Sequence, residues 1–508
     1  MATNLSIPTN NATSDFTSQS STFLPELWKK GVQLSEAAEN FFNQFEGPTE
    51  NYSVMSVRDL SRGAGSKITF RTMAQLYGEG VQGETLINSN TEDFRVGAYN
   101  LTVDFLRHAV SYNRRLEEKT ALASELKSNV PVMLGNWLGR MKTERLMKLF
   151  LHKGNGRNYV FANGKANTDA LLSTDTLSYD GIVAYGQQLR TRGARPAQVA
   201  TIDKNKLNRY VVVSTGEGLL SLKSETKYLQ AINAAGGKEG YGGVQFTGGF
   251  VDLDGHIIRQ FDPIDHDGFG AIGSPLNAKA TLGTAITATT GSAITVRATA
   301  TQVSSPIPGY GASYFKYFSG YSYPFSADDA DNKILGTTTT SGYVLILNLT
   351  GSDAGKYGFY SYSANSGNTL TLNRGLVATT GSVGSSGDFQ LKTTVGDVTS
   401  VTTATSPWAN AKLTNTHPVG SLVIETNSRG VAIGRSLVLG AMAAVRGYGS
   451  LDGERSEETF DGDFVRKTYI TSIFGQSPYM RPDGDMPNFL VATHAVNYAG
   501  LNLPSVTS

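Results

Sequence analysis

The chain of 508 residues contains no cysteine. Disulfide cross-links, thiolate nucleophiles and thiolate-ligated metals are excluded, and stability must come from packing and association. Neither sign of charge is in excess: 44 Lys and Arg against 43 Asp and Glu leave a formal charge of +1, and charged residues make up only 17% of the chain. A protein that wraps nucleic acid carries a basic surplus, so contact with nucleic acid is expected to be weak and local. No run approaches the roughly eighteen apolar residues of a membrane-spanning helix. Residues 1–21, rich in Ser, Thr and Asn, lack the basic and apolar regions of a signal peptide. The six histidines, His108, His152, His256, His266, His417 and His494, stand singly, with no metal-binding pair at helical spacing. No serine occupies a nucleophile-elbow context. Catalysis has no visible home in this pattern, and no cofactor is expected.

What the chain does have is an unusual stretch over residues 56–150. Polar and apolar residues alternate through Lys67, Ile68, Thr69, Phe70, Arg71 and Thr72, and again through Phe94, Val96, Tyr99, Leu101, Val103 and Phe105. That is the period of strands with one apolar face. Between them, residues 77–93 are rich in Gly, Asn, Thr and Glu, far longer than a tight turn needs and too polar to bury a core. The pair reads as a long hairpin that must find its apolar partner on another chain. Gly78, Gly80 and Gly83 match the spacing of a dinucleotide fingerprint, but no helix follows to face a pyrophosphate, so they read as a flexible tip.

A helix in two pieces is predicted next. Residues 114–126 carry Glu117, Glu118 and Lys119 among good helix formers, and Pro131 suits the first turn of a second piece. From Leu134 onward, Trp137, Leu138, Met141, Leu146, Leu149 and Phe150 repeat at three-to-four spacing, while Arg140, Lys142, Glu144, Arg145 and Lys148 mostly take the opposite face. This spine is about twenty residues, roughly 30 Å long.

Beyond it, residues 180–192 predict a short helix stopped by Gly193 and Pro196, residues 210–214 a buried strand, and residues 243–261 further strands. A mixed α/β layer follows. Asp262, Asp265, His266 and Asp267, and likewise Asp328, Asp329 and Asp331, lack the ligand spacing of a calcium loop and read as solvated turns. At about Ala271 the composition shifts to Gly, Ser, Thr, Ala and Tyr, and it stays so to about Asn415, marking an all-β insertion. Within it, Asp353, Gly355 and Tyr357 form a tyrosine-corner signature, with Phe359 where an immunoglobulin domain places its second core cysteine. The insertion is similar to an immunoglobulin-like sandwich over residues 275–374. An aromatic cluster that includes Tyr310, Tyr314, Tyr321 and Tyr323 reads as sandwich core or as a surface for host glycans. The body resumes near His417, with a strand at 422–424, a small-residue-rich helix or buried segment at 431–445, a long strand around 464–473 and a last one at 488–496.

The order of these parts resembles the major capsid proteins of tailed bacteriophages: the HK-97-type fold, podophage-type branch. The residues that carry it are Gly78 to Thr85 in the glycine-rich loop, the segment from Leu101 to Val110 ending in Arg107, His108, Ala109 and Val110, and the tail with Ile470, Ile473, Phe474 and Gly475 followed by 488–496. The resemblance implies an α+β fold with the insertion added. Its parts are an N-terminal arm (1–27), an N-terminal helical segment (28–56), the E-loop hairpin (57–110), the P-domain spine (111–175), the A-domain (176–270), the insertion (271–415), the A-domain return (416–460) and closing P-domain strands (461–508). It further implies self-assembly into pentamers and hexamers of an icosahedral shell in the virion, made in the host cytoplasm, with portal, scaffold or decoration proteins as partners and weak contact with packaged double-stranded DNA. Interface residues are then expected at Arg58 and Arg62 at the hairpin base, Lys67 and Arg71 on its first arm, Gly78, Gly80 and Gly83 in the loop, and Glu84, Glu92 and Asp93 near the tip. Two rival readings are an encapsulin-type compartment of the same fold and a surface adhesin or S-layer protein carrying the immunoglobulin-like module.

Overall fold

The computed structural model describes residues 40–58, 67–73, 123–200 and 206–230 throughout, and most of 78–113, 251–297, 342–372 and 416–498. The chain divides into two compact units, one of residues 1–146 and 444–485, the other of residues 147–443 and 486–508.

The first unit is built on a sheet around one long strand. Two short strands, β1 (Glu46–Gly47) and β2 (Val54–Val57), run parallel to each other, and β2 runs parallel to β20 (Ala444–Tyr448). The 14-residue strand β22 (Val465–Pro478) pairs antiparallel with β20 near its C-terminal end, and with β21 (Glu454–Phe460) and β5 (Asp104–Asn113) along its two edges. Two further strands, β3 (Lys67–Met73) and β4 (Val96–Thr102), form a separate two-stranded hairpin, with Lys67 opposite Thr102 and Met73 opposite Val96.

The spine helix, α1, runs unbroken over Ala123–Lys153, 31 residues or about 46 Å, with Pro131 inside it. The predicted restart at Pro131 is therefore corrected. A mid-helix proline forfeits one hydrogen bond at a cost of about 3 kcal/mol. Packing offsets it, because Val130, Leu134 and Leu138, spaced by four, pack with Leu106, Tyr448, Ile470 and Phe474. Each such apolar side chain contributes about 1.5–3 kcal/mol on burial. The polar face is corrected as well: Lys142 and Glu144 are buried.

The second unit has a mixed sheet in the order β6 (Tyr159–Phe161), β23 (Phe489–Ala495), β19 (Ile433–Leu439), β8 (Lys206–Ser214), β10 (His256–Gln260) and β9 (Val251–Leu253), with β7 (Ala197–Ala200) also on β8. Pairings are parallel for β6 with β23 and for β8 with β10, and antiparallel elsewhere. The central strands β19 and β23 are buried at every position. The expected segment at 431–445 is thus strand, not helix: it supplies β19, turns, and supplies β20 to the other unit. Helices α2 (Tyr179–Thr191, capped by Ser178) and α3 (Gly216–Ser224, capped by Thr215) place Ile182, Leu189, Leu219 and Leu222 against Tyr210, Val212, Val438 and Leu490.

The insertion departs from the sandwich expected of it. Its described strands form one closed antiparallel barrel, ordered β13 (Lys279–Leu282), β14 (Ala293–Arg297), β17 (Thr369–Leu372), β16 (Tyr357–Ser366), β15 (Gly342–Leu347) and β18 (Leu422–Thr426), with β18 returning to β13. Closure supplies each strand with a neighbour on both sides, whereas a sandwich keeps two sheets with free edges. The closing strand, β18, comes from beyond residue 415, in the stretch assigned by sequence to the resumed body. β20 and β21 join the first unit and β23 the second. Both faces of β15 are buried. Leu345 and Leu347 pack with Tyr357, Ile424, Val431, Ala495 and Val496, which seats the barrel on the second unit's own body.

Candidate assembly surfaces

Exposure varies along the hairpin, and Phe105, just past its base, is 61% exposed. Leu101 and Val103 are 2% and 8% exposed near the base, whereas Val96, at the far end of β4, is 51% exposed. Beyond the paired strands Gly78, Gly80, Gly83 and Asp93 are all exposed. Gly80 and Gly83 have φ of +74° and +75° with open space around each, so backbone conformation, not crowding, demands glycine there. Each of β3 and β4 has a single described partner strand, and a lone two-stranded ribbon is marginal in water. Lys67 and Arg71 are four apart on β3, in register with Thr102 and Ala98 of β4. Arg62, Glu84 and Glu92 lie outside the described residues.

Arg58 is exposed but already engaged: its guanidinium lies 4.9 Å from the centre of the Tyr448 ring. That ring belongs to a buried charged cluster that the sequence pattern did not single out. Lys142 Nζ, on the spine helix, donates to Asp452 Oδ1 at 2.9 Å and lies 4.9 Å from the same ring and 5.4 Å from that of Phe474. Ser472 Oγ also donates to Asp452 Oδ1, at 3.1 Å. Arg446, fully buried, pairs with Glu46, which also accepts from the Tyr448 hydroxyl at 2.9 Å. Burial, the largest cause, pushes the Tyr448 phenol well above its ordinary pKa. Removing one partner of such a pair costs about 3–5 kcal/mol, because the other charge stays buried. The cluster fastens β1, the spine helix, β20 and β22 together. Its only sequence signal is charges at positions whose neighbours are apolar, as at Arg446 after Ala443, Ala444 and Val445. Alongside, His108 on β5 stacks on Trp137 of α1 at 4.4 Å, and burial lowers the imidazole pKa.

The second unit holds a constellation that invites a catalytic reading. Ser436 Oγ lies 2.8 Å from Ser214 Oγ and 2.9 Å from His494 Nε2, and His494 Nδ1 lies 3.1 Å from the Ala495 carbonyl oxygen. All three side chains are fully buried. Burial depresses the imidazole to about 4, leaving it neutral. A methyl on Gly218 would lie 2.7 Å from Ser214 Oγ and 3.0 Å from His494 Cε1, so helix α3 closes directly over the group. Its chemistry is packing of β8, β19 and β23 with satisfied polar groups. Beside it Arg435 and Glu425, both buried, are 3.5 Å apart and connect β19 to the barrel strand β18.

In the barrel, Tyr357 is buried at the start of β16, and burial raises its phenol pKa. Phe359 is on the same strand opposite Leu345. Asp353, Gly355, Tyr310, Tyr314, Tyr321 and Tyr323 lie outside the described residues. Among the described residues no group of three or more His, Asp or Glu is placed to hold a metal ion, and no helix is long and apolar enough to cross a membrane.

The profile of a phage capsid protein family matches residues 14–259. Among curated proteins none matches. Of solved structures, the capsid of Ralstonia phage GP4 is similar over 99% of this chain and 100% of its own, at 14% identity and a TM-score of 0.50. The cyanophage Pam1 capsid asymmetric unit covers 97% of this chain and 99% of its own at 10% identity and a TM-score of 0.49. For the head of Helicobacter pylori bacteriophage KHP40 the values are 97%, 98%, 10% and 0.49.

Proposed function

We propose that this chain is a major capsid protein of a tailed bacteriophage that builds an icosahedral shell of pentamers and hexamers around double-stranded DNA, with the hairpin of each subunit laid over its neighbour; the match of a phage capsid protein family to residues 14–259 and the likeness of its fold to a phage capsid support that reading. The observation that carries this reading is the hairpin itself: buried at Leu101 and Val103, it leaves Val96, Gly78, Gly80 and Gly83 exposed. Two strands whose outer edges have no partner among the described residues, together with an exposed apolar residue, are a template for another chain. The chain acts by assembly and not by catalysis, and the burial of Ser214, Ser436 and His494 supports that. The near-neutral charge fits a wall that holds DNA only by weak local contacts. Portal and scaffold or decoration proteins are its expected partners, and the barrel insertion is the candidate for host-surface contact.

Negative-stain imaging of the expressed chain tests the proposal. Closed, uniform shells are expected. Soluble subunits alone, in the presence of the phage's other head proteins, would overturn it.

A further inference from the structure

We propose that Asn163 is a self-modification site, whose side-chain amide converts to a carboxylate at a rate set by Asp175. Asn163 precedes Gly164, and both are exposed in the turn that follows β6. Glycine has no Cβ, so its backbone nitrogen can approach a neighbouring side chain closely. The reaction needs water and nothing else. The Gly164 nitrogen attacks Asn163 Cγ and forms a C–N bond that closes a cyclic imide, while the bond from Cγ to Nδ2 breaks. The proton lost by Gly164 leaves, through water, on the departing ammonia. Water then opens the imide, giving aspartate where the bond at Cγ is cleaved and isoaspartate where the bond at the backbone carbonyl is cleaved.

Two features of the turn hold the reaction back. Asn163 has φ of 54° and ψ of 28°, a left-handed conformation that asparagine tolerates better than most residues. At that ψ the Gly164 nitrogen points away from the Asn163 side chain, so near-attack geometry requires rotation about the Cα–C bond. The leaving nitrogen is also held: Asn163 Nδ2 donates to Asp175 Oδ1 at 2.7 Å. Asp175 is 3% exposed, and its Oδ2 accepts from the Leu172 amide at 2.8 Å and lies 3.6 Å from Lys165 Nζ. Conversion therefore proceeds from the opened turn, and the hydrogen bond to Asp175 sets how often the turn opens. The product does not close again. A carboxylate stands where an N–H donor met a buried carboxylate, and Lys165 can balance one of the two. The Asp175 carbonyl accepts from the Ala495 amide at 2.8 Å at the end of β23, and Leu171, fully buried, packs with Phe161 and Ala162. Repulsion at position 163 thus acts where residues 162–175 are fastened to the sheet, and it frees the turn.

Mass spectrometry of the full-length chain, incubated in mildly alkaline buffer and digested, reads the small mass gain that replacing NH2 by OH brings. A second Asn-Gly pair, Asn155 and Gly156, is an internal reference, since the Asn155 side chain is fixed by a different bond, from the Arg157 amide. Asp175→Ala should speed conversion at Asn163 by about tenfold or more, the effect of deleting a charge-assisted hydrogen bond, and leave the rate at Asn155 as it was. No acceleration at Asn163, or equal acceleration at both sites, would overturn the role of Asp175. In the parent chain, which needs no substitution, Asn163 should convert about tenfold or more slowly than in the same segment released as a peptide. Equal rates in chain and peptide would sink the idea. Asn163→Asp, which installs the product, should be cut by trypsin at Lys165 severalfold faster than the parent, because cleavage follows the opened population. Unchanged cleavage would show that conversion frees nothing.

Discussion

The hairpin and the barrel are both β-structures that stand apart from the two central sheets, and they solve the strand-edge problem in opposite ways. The barrel's six strands close, β18 on β13, so each described strand has two neighbours and its apolar residues face an interior or the body beneath. In the hairpin, β3 and β4 pair only with each other among the described residues, and burial falls from Leu101 to Val96. An element that satisfies its own backbone can be carried as an insertion without disturbing its host. One that does not satisfy it is incomplete until another chain arrives. On the proposed function, the difference separates folding from assembly within one polypeptide.

Deleting residues 78–92 should break the comparison most sharply. We expect folded subunits with an unchanged thermal transition and complete loss of closed shells by electron microscopy. Normal shells would show the hairpin tip to be dispensable. Next come matched truncations. Leu345→Ala, at the seat of the barrel where Leu345 is 1% exposed, should cost about 2–5 kcal/mol in denaturant unfolding. Val96→Ala, on the exposed end of the hairpin, should stay within about 0.5 kcal/mol. Equal losses at the two sites would erase the distinction.

The third effect belongs to the body beneath the barrel. His494 is held neutral in the folded chain, where burial depresses its pKa from the ordinary 6.5 to about 4. The unfolded chain therefore takes up the proton first. The stabilisation is fully present above pH 6.5 and is lost as pH falls from there towards 4, by roughly 3 kcal/mol in all. Unfolding free energies measured across that window should show this slope, and His494→Gln should flatten it. A slope unchanged in the variant would assign the acid sensitivity elsewhere. The smallest effect is expected on the hairpin arm. Exposed ion pairs contribute about 0–1 kcal/mol each. Lys67→Glu with Arg71→Glu should weaken assembly modestly, more at low salt, where screening is slight. Light scattering that is indifferent to both the reversal and the salt would mark them as solvated charges.

The parts of the fold most legible in the sequence were those whose signal is local. The alternation at 67–72 and 94–105 became β3 to β5, the helix expected at 180–192 before Gly193 became α2, and the run around 464–473 became β22. Pro131 misled because its local preference was outweighed by a four-residue stripe packing on β5 and β22. The tyrosine-corner signature misled in another way. It marked a buried tyrosine at a strand start correctly, but sandwich and barrel differ only in which strands pair, and pairing leaves no mark on a single strand. The buried cluster of Glu46, Lys142, Arg446 and Asp452 was invisible because its members are up to about 400 positions apart in the chain, and charges read as surface until their partners are known.

By itself, then, the sequence determined that this protein would be held together without disulfides, would carry near-zero charge, and would project a long polar-tipped hairpin ahead of a spine helix. Composition and short-range periodicity act residue by residue, so they survive without a fold. The tertiary structure alone decided that β18 closes the insertion into a barrel, that β20 and β23 part into different units, and that Lys142 lies buried against Asp452. Those outcomes depend on long-range pairing, where the free energy comes from contacts between residues distant in the chain and burial is set by what arrives, not by what is adjacent.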